Sequence, residues 1–144
     1  MKMNLVPYKS VGAILFNSGE SLATSLLGVD FKVRLNLKGE KTFYFESINL
    51  VFTSNDQLKE ITFFPESKLL VSESNIFEEK DVHGFLRELD SSPLEYVGLV
   101  FYPKLGLSIG GTEIGVDFSI TAIAEGRFDL LLSKFKPFKK RNIF

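Results

Sequence analysis

Apolar side chains recur at helical spacing in two stretches of the chain. The first stretch covers about residues 18 to 27 and ends at Gly28, where glycine favours the left-handed cap of a helix. The second covers about residues 77 to 90, and its residues at positions i, i+3, i+4 and i+7 are Val82, Phe85, Leu86 and Leu89. Asn75 and Glu78 stand at capping-box spacing at its start. The pattern therefore predicts two amphipathic helices.

Alternation with a period of two marks most of the remaining chain. Between Phe31 and Leu37 every second residue is apolar and the residues between them are polar, as in a strand with one face in solvent. Further strands are predicted over residues 42–47, 48–53, 58–64, 68–72, 94–102, 105–109 and 114–124. Because strands outnumber helices, we expect an α+β fold in which an antiparallel meander, strongly curved or split, carries one or two helices on one face. The sequence shows no convincing internal repeat.

The composition is that of one soluble domain. A chain of 144 residues with 44% apolar content can bury its own core, so a single domain is predicted over residues 1–144. The chain has no Cys, which excludes disulfides and thiolate metal sites. No apolar run approaches the ~18 residues that span a bilayer, and no continuous apolar segment of a secretory signal follows Lys2. We therefore expect a cytoplasmic protein without a membrane partner.

Candidates for catalytic chemistry are few. Residues 106–110 match the G-x-S-x-G pattern of a nucleophile elbow, but Ser108 lies in a predicted strand, not on a strand-to-helix turn. No His follows it in the chain, so the acid and base of a triad are missing in the required order. His83 is the single His, and its place on the outward face of the second helix predicts a solvated side chain. We expect no enzymatic activity, no metal and no cofactor.

Charge is distributed unevenly along the chain. Residues 46–96 hold eleven Asp or Glu against four Lys or Arg, whereas the segments before and after each carry an excess of three positive charges. An acidic stretch of this kind forms either a solvated face or a surface that docks a basic protein. The basic segment Lys134–Arg141 is too short for a nucleic-acid surface and is predicted to be a solvated chain end. No nucleic-acid partner is expected.

The first half of the chain carries a pattern of apolar residues and glycines. It comprises Val11-Gly12-x-Ile14-x-Phe16, a short helix that ends Leu26-Leu27-Gly28, and the strand patterns Ile48-x-Leu50-Val51-Phe52 and Ile61-x-Phe63. In this pattern the chain resembles small immunity proteins of bacterial contact-dependent growth inhibition and related polymorphic toxin systems. The resemblance implies a cytoplasmic protein that binds one cognate toxin domain, often a nuclease, and blocks it. It carries over no functional residue.

The charge pattern, together with two apolar neighbours, predicts the partner-binding residues. They lie at the start of the second helix and in the segment before it: Glu66, Glu73, Glu78, Glu79, Asp81, Ile76 and Phe77. Ile76 and Phe77 are equally well explained as core residues or as a hydrophobic staple. Two alternatives stay open. One is a small-ligand-binding or enzymatic domain in which the Phe residues line a cavity, and the other is an adaptor subunit.

Overall fold

The first half of the chain forms a small sheet, a helix and a meander of four strands. The structure, a computed structural model, describes residues 2–111 and 118–139. The small sheet consists of β1 (Leu5–Val6), β2 (Ser10–Val11) and β3 (Ile14–Leu15). The helix is α1 (Glu20–Leu27). The meander runs through β4 (Lys32–Leu35), β5 (Lys41–Phe45), β6 (Ile48–Phe52) and β7 (Leu58–Phe63).

The second half repeats this order of elements. It starts with a hairpin of β8 (Leu70–Val71) and β9 (Ser74–Asn75), then a 3-10 helix (Ile76–Glu78) and α2 (Val82–Leu89). The second meander consists of β10 (Leu94–Tyr96), β11 (Leu99–Tyr102), β12 (Leu107–Gly110) and β13 (Ser119–Ile123). A 3-10 helix (Leu132–Lys134) and the short strand β14 (Lys136–Pro137) follow. The repeat is one of element order, which the sequence analysis did not detect.

Both meanders belong to one large antiparallel sheet. Its nine strands follow the order β14-β10-β11-β12-β13-β7-β6-β5-β4, so the last strands of the two meanders, β7 and β13, meet in the middle. The first strands of the meanders, β4 and β10, therefore lie towards opposite edges. The predicted α+β class with an antiparallel sheet and two helices is confirmed. The large sheet is neither closed nor strongly curled, and the remaining strands form two separate small sheets.

One face of the large sheet carries the main core. A row of directly opposed residues crosses six of its strands, and none of them is more than 4% exposed: Phe43, Leu50, Ile61, Ala122, Leu107 and Tyr102. Ala23 of α1 and Val82 and Leu86 of α2 are buried in the same cluster. The two helices therefore cover this face, and their burial supplies the hydrophobic stabilisation that their short length requires.

The opposite face carries a smaller buried cluster on the second meander. Phe101 of β11 and Ile123 of β13 are buried there, outside the main core. The ring of Phe101 meets the rings of Phe128 and Phe135 at centroid distances of 5.1 and 5.8 Å. Residues 124–139, which we call the C-terminal segment, thus fold back over the sheet. Within its described residues this segment consists of turns, the 3-10 helix and β14.

The predicted solvated basic segment is ordered as far as the structure describes it, and the side chains of Lys134, Lys136 and Lys139 are exposed. Strand β14 pairs with β10, with Lys136 opposite Glu95. The backbone N–H of Phe138 donates to the carbonyl of Pro93 at 2.9 Å, and Arg87 donates to the carbonyl of Phe138 at 2.9 Å. These contacts fix residues 136–138 against the second meander. Residues 140 and 141 of the predicted basic segment lie outside the described residues.

Helix α1 begins two residues later than predicted because its cap comes from a distant loop. Gly19 occupies the cap position and offers no side chain. The Oδ1 atom of Asp56 instead accepts the backbone N–H of Glu20 at 2.9 Å. A Cβ atom on Gly19 would lie 2.5 Å from a carboxylate oxygen of Asp56, so only glycine leaves room for this approach.

Strand β4 departs furthest from the sequence prediction. The alternation from Phe31 to Leu37 predicted one buried face, but all four residues of β4 are exposed. Val33 and Leu35 are 47% and 68% exposed, although Val33 lies opposite the buried Phe43 on the core face. Phe31 alone stacks on Phe43, at 4.4 Å between ring centroids. The apolar residues of β4 lie at the sheet edge, beyond the part of this face that the core covers.

Of the predicted strand over residues 114–124, β13 covers 119–123, and residues 112–117 lie outside the described residues. In the part of the chain that the structure describes, no helix is long and apolar enough to cross a membrane.

Candidate functional site

A shallow depression with acidic walls lies at the start of α2. It has a volume of about 450 Å³, and the residues around it are Glu78, Glu79, Lys80, Asp81, Gly84, Phe85 and Glu88. Four of these seven residues carry carboxylates and one carries a cation. The half-buried ring of Phe85 is the one large apolar surface among them. We call this group of residues the acidic depression.

Two short helical segments and their caps place these carboxylates. The side chain of Asn75 accepts the N–H of Phe77 at 3.2 Å and starts the 3-10 helix. Three residues after this helix ends, Oδ1 of Asp81 accepts the N–H of Gly84 at 3.0 Å and starts α2. Such caps satisfy backbone donors that a helix start leaves free. The predicted helix over residues 77–90 is thus divided into a 3-10 helix and an α-helix. Residues 79–81, which include Glu79 and Asp81, separate the two.

The structure brings together only part of the predicted partner-binding set. Glu78, Glu79 and Asp81 line the acidic depression. Glu66, in the turn after β7, and Glu73, in the turn between β8 and β9, are exposed but do not line it. The acidic depression therefore contains only some of the carboxylates of the acidic stretch, residues 46–96.

The two predicted apolar contacts belong to the interior. Ile76 is fully buried in the main core, so it offers no surface to a partner in this structure. The half-buried ring of Phe77 packs edge-on against Phe118 at 5.9 Å between centroids. Their role as core residues, which the sequence had left open, is the one that the packing supports.

Sequence reasoning missed Phe85 and Glu88 as members of the depression. Phe85 had been assigned to the apolar stripe, of which Val82 and Leu86 are buried while Phe85 is only partly covered. Glu88 lies seven residues after Asp81, so the two acids share one face of the helix. That i, i+7 spacing was the signal available in the sequence.

His83 is not the solvated side chain that its position predicted. Its Nδ1 lies 2.7 Å from the hydroxyl of Tyr102, a fully buried residue of β11. The ring of Phe138 lies 5.2 Å away from the His83 ring, and the guanidinium of Arg87 stands over the same phenylalanine at 5.2 Å. Phe138 thus lies over the helix face that had been expected to meet solvent.

Ser108 lies within β12 and is 2% exposed, opposite Thr121 of β13. Its predicted place in a strand is confirmed, and this geometry differs from the exposed turn of a nucleophile elbow. Among residues 2–111 and 118–139, no group of three or more His, Cys, Asp or Glu side chains is placed to hold a metal ion.

A second concave region lies on the face that the C-terminal segment covers. This cavity has a volume of about 420 Å³, and its lining is mainly apolar: Leu94, Phe101, Pro103, Ile123, Phe128 and Leu132. Tyr8, Glu125 and Asp129 supply its polar atoms. Burial, together with the negative charges of nearby carboxylates, raises the pKa of Tyr8, so its hydroxyl stays protonated and donates to the carbonyl of Pro103.

A triad of charged residues joins the two halves on the same face. The guanidinium of Arg127 binds both carboxylate oxygens of Glu40, at 2.8 and 3.2 Å, and a carboxylate oxygen of Glu60 at 2.6 Å. Its hydrogen bonds hold the pKa of Glu40 below the ordinary value, and the two carboxylates raise the pKa of Arg127. The triad is mostly shielded from solvent, with side-chain exposures of 15 to 25%.

The chain has no significant match among protein-family models, curated proteins or solved structures.

Proposed function

We propose that this protein acts by binding another protein, as an immunity protein that docks on a basic, nuclease-type toxin domain and blocks it. The observation that carries the proposal is the acidic depression, where four carboxylates surround one half-buried aromatic ring. The resemblance of the first half of the chain to immunity proteins supports the same function.

The chemistry of the acidic depression suits a basic partner. Nucleases carry Lys and Arg side chains along the groove that holds phosphate, and an acidic surface can occupy that groove in place of the nucleic acid. Opposite charges accelerate encounter and favour one orientation, while an apolar contact slows dissociation. In the acidic depression, Glu78, Glu79 and Glu88 supply the charge and Phe85 supplies the apolar contact.

The experiment compares two triple variants that remove the same charge. One variant changes Glu78, Glu79 and Glu88 to Gln. The other changes Glu46, Glu66 and Glu73 to Gln, and these three residues are exposed and lie outside the acidic depression. Asp81 stays unchanged because it caps α2. The protein tested for binding is the one encoded immediately upstream of this chain, and its association rate is measured at low and high salt.

We expect the first variant to associate roughly tenfold more slowly at low salt, and the difference to shrink as salt screens the charges. The second variant is expected to keep most of the wild-type rate. Equal rates for both variants and the wild type would mean that the interface lies elsewhere. Loss in the second variant alone would move the interface to the turns that hold Glu46, Glu66 and Glu73.

The apolar cavity beneath the C-terminal segment favours a second candidate function, the binding of a small apolar ligand. Its volume of about 420 Å³ falls in the range of ligand pockets. Changing Phe128 to Ala would enlarge the cavity, and a ligand seen by native mass spectrometry of the wild-type protein should be lost or weakened in the variant. Wild-type protein that emerges from its host without a bound molecule would argue against this function.

A further inference from the structure

In the part of the chain that the structure describes, the outer edge of β4 is open. Strand β4 stands last in the sheet order and pairs on its inner side with β5, from Lys32 opposite Tyr44 to Leu35 opposite Lys41. Among residues 2–111 and 118–139, no strand pairs with its other side. An exposed edge strand presents unpaired backbone donors and acceptors, and proteins commonly cover such edges or blunt them with charge.

The side chains of β4 separate into an apolar face and a basic face. Val33 and Leu35 lie on the core side of the sheet, and both are exposed. Lys32 and Arg34 lie on the other side, where the guanidinium of Arg34 stands 5.9 Å from the ring of Tyr44. The strand itself contains no acidic residue. A segment that pairs with β4 therefore meets apolar side chains on one face and cations on the other.

The equivalent edge in the second half shows how the fold accepts an added strand. Strand β10 opens the second meander as β4 opens the first, and β14 pairs with its outer edge. Phe135, just before β14, then contacts Tyr96 of β10 at 5.6 Å. An extended segment with flanking aromatic side chains thus closes one edge of the sheet, whereas the other edge has no such cover in the described part of the chain.

A second copy of this chain does not suit the β4 edge. In a two-fold antiparallel pair of β4 strands, the register that sets Val33 opposite Val33 also sets Lys32 of one copy opposite Arg34 of the other, which places like charges together. The next register sets Val33 opposite Leu35 and brings the two Arg34 side chains opposite each other. Neither register buries Val33 and Leu35 against apolar side chains without a charge conflict.

We propose that the open edge of β4 binds an extended segment of a partner protein in which apolar and acidic side chains alternate. The apolar side chains of that segment extend the core face beside Val33 and Leu35, and its acids pair with Lys32 and Arg34. Its backbone adds a tenth strand to the sheet. This surface is basic and lies on the first meander, so it is distinct from the acidic depression at α2 and does not rest on the function proposed above.

The test uses a peptide of alternating Val and Glu, about eight residues long, because a strand of this length covers β4 with overhang. A peptide of alternating Val and Lys is its control. The protein variant is K32E/R34E, and the matched variant K9E/K68E makes the same change in net charge at exposed positions outside β4. Binding is followed by fluorescence anisotropy of the labelled peptides, and amide hydrogen exchange locates the protected strand.

We expect the Val/Glu peptide to bind the wild type and K9E/K68E alike, to bind K32E/R34E on the order of tenfold more weakly, and to slow exchange in β4. The Val/Lys peptide should prefer K32E/R34E. The proposal fails if neither peptide binds, if the charge reversal leaves the preference unchanged, or if protection appears at β10 because the peptide displaced β14. A concentration-dependent dimer that K32E/R34E abolishes would assign the edge to a second copy and would also overturn it.

Discussion

The two ends of the nine-stranded sheet differ although the same order of elements builds both. At the β10 end, the C-terminal segment adds β14 to the edge and lays Phe128 and Phe135 over Phe101. At the β4 end, the strand edge is open and Leu35 is 68% exposed. The comparison teaches that the helices and the two small sheets bury the core face, whereas the β10 edge is covered by an additional segment. Within residues 2–111 and 118–139, the second half has such a segment and the first half does not.

The largest expected effect on stability comes from removing aromatic rings with which the C-terminal segment packs on the second half. Changing both Phe135 and Phe138 to Ala should destabilise the protein by roughly 3 to 5 kcal/mol, about half the cost of two fully buried rings, because both are only partly buried. Urea denaturation measures the loss. Amide exchange in β10 should then rise towards the rate in β4.

Leu130 provides the control for this variant, since it lies in the same segment and is 94% exposed. Changing it to Ala should leave the urea midpoint unchanged. If the double Phe variant has the same midpoint as the Leu130 control, the C-terminal segment does not stabilise the second half.

The second prediction concerns the charged triad that joins the halves. Changing Arg127 to Gln leaves Glu40 and Glu60 without their shared partner, at a cost of roughly 1 to 3 kcal/mol near neutral pH. Arg127→Lys keeps the charge but loses the paired hydrogen bonds, so it should recover only part of the stability.

The pH dependence of this effect has a definite sign. Arg127 holds the pKa of Glu40 below its ordinary value of 4.5, so the folded state favours the ionised carboxylate. The resulting stability is complete above that value and is lost as the pH falls through the lowered pKa. The stability difference between wild type and Arg127→Gln should therefore shrink below about pH 4.5. A difference that stays constant from neutral to acidic pH would contradict the assignment.

The third prediction concerns the turn that joins β10 and β11. Val97 has φ of 46° and Gly98 has φ of 77°, so a β-branched residue occupies a left-handed conformation that it rarely adopts. In the first half, the corresponding β4–β5 turn places Gly39 at positive φ, and Oδ1 of Asn36 accepts two backbone N–H groups. Changing Val97 to Asn should stabilise the protein by about 0.5 to 1 kcal/mol.

Thermal unfolding measures the gain, with Val29→Asn as the control. Val29 and Val97 are similarly exposed, at 82% and 86%. They differ in the backbone, because Val97 has a strained, positive φ and Val29 does not. If both variants shift the midpoint equally, the gain comes from removing an exposed apolar side chain and not from the backbone.

The smallest effect is expected at the open edge itself. Leu35→Thr should change the free energy of unfolding by less than about 0.5 kcal/mol, because its side chain is already 68% exposed. Leu94→Thr at the covered edge should cost about 1 kcal/mol, since Leu94 is half-buried and pairs with Pro137. Equal costs at both positions would mean that the two edges do not differ in cover.

Local patterns predicted the parts of the fold that depend on neighbouring residues. The burial of Val82 and Leu86 follows from their spacing along one helix, and strands β5 to β7 begin and end within two residues of their predicted bounds. The start of α1 was misplaced because its cap is Asp56, a residue 36 positions away from Glu20. A periodic pattern carries no information about such a contact.

The same limit applies to the candidate surfaces. The acidic stretch identified Glu78, Glu79 and Asp81, because neighbours in sequence stay neighbours around one helix start. Alternation in β4 specified which residues share a face, but the cover over that face depends on elements from elsewhere in the chain. The environment of His83 depends in the same way on Tyr102 and on Phe138, which is 55 residues away.

The pairing of β7 with β13 also determines the order in which the sheet can be completed during synthesis. β13 is made about 60 residues after β7, which takes roughly 3 to 12 s at ribosomal rates of about 5 to 20 residues per second. Throughout that interval the first meander can form, yet the strand destined for the middle of the sheet has no neighbour on one side. The nascent chain therefore exposes a temporary edge at β7, and this edge closes only when the last strand of the second meander has left the ribosome.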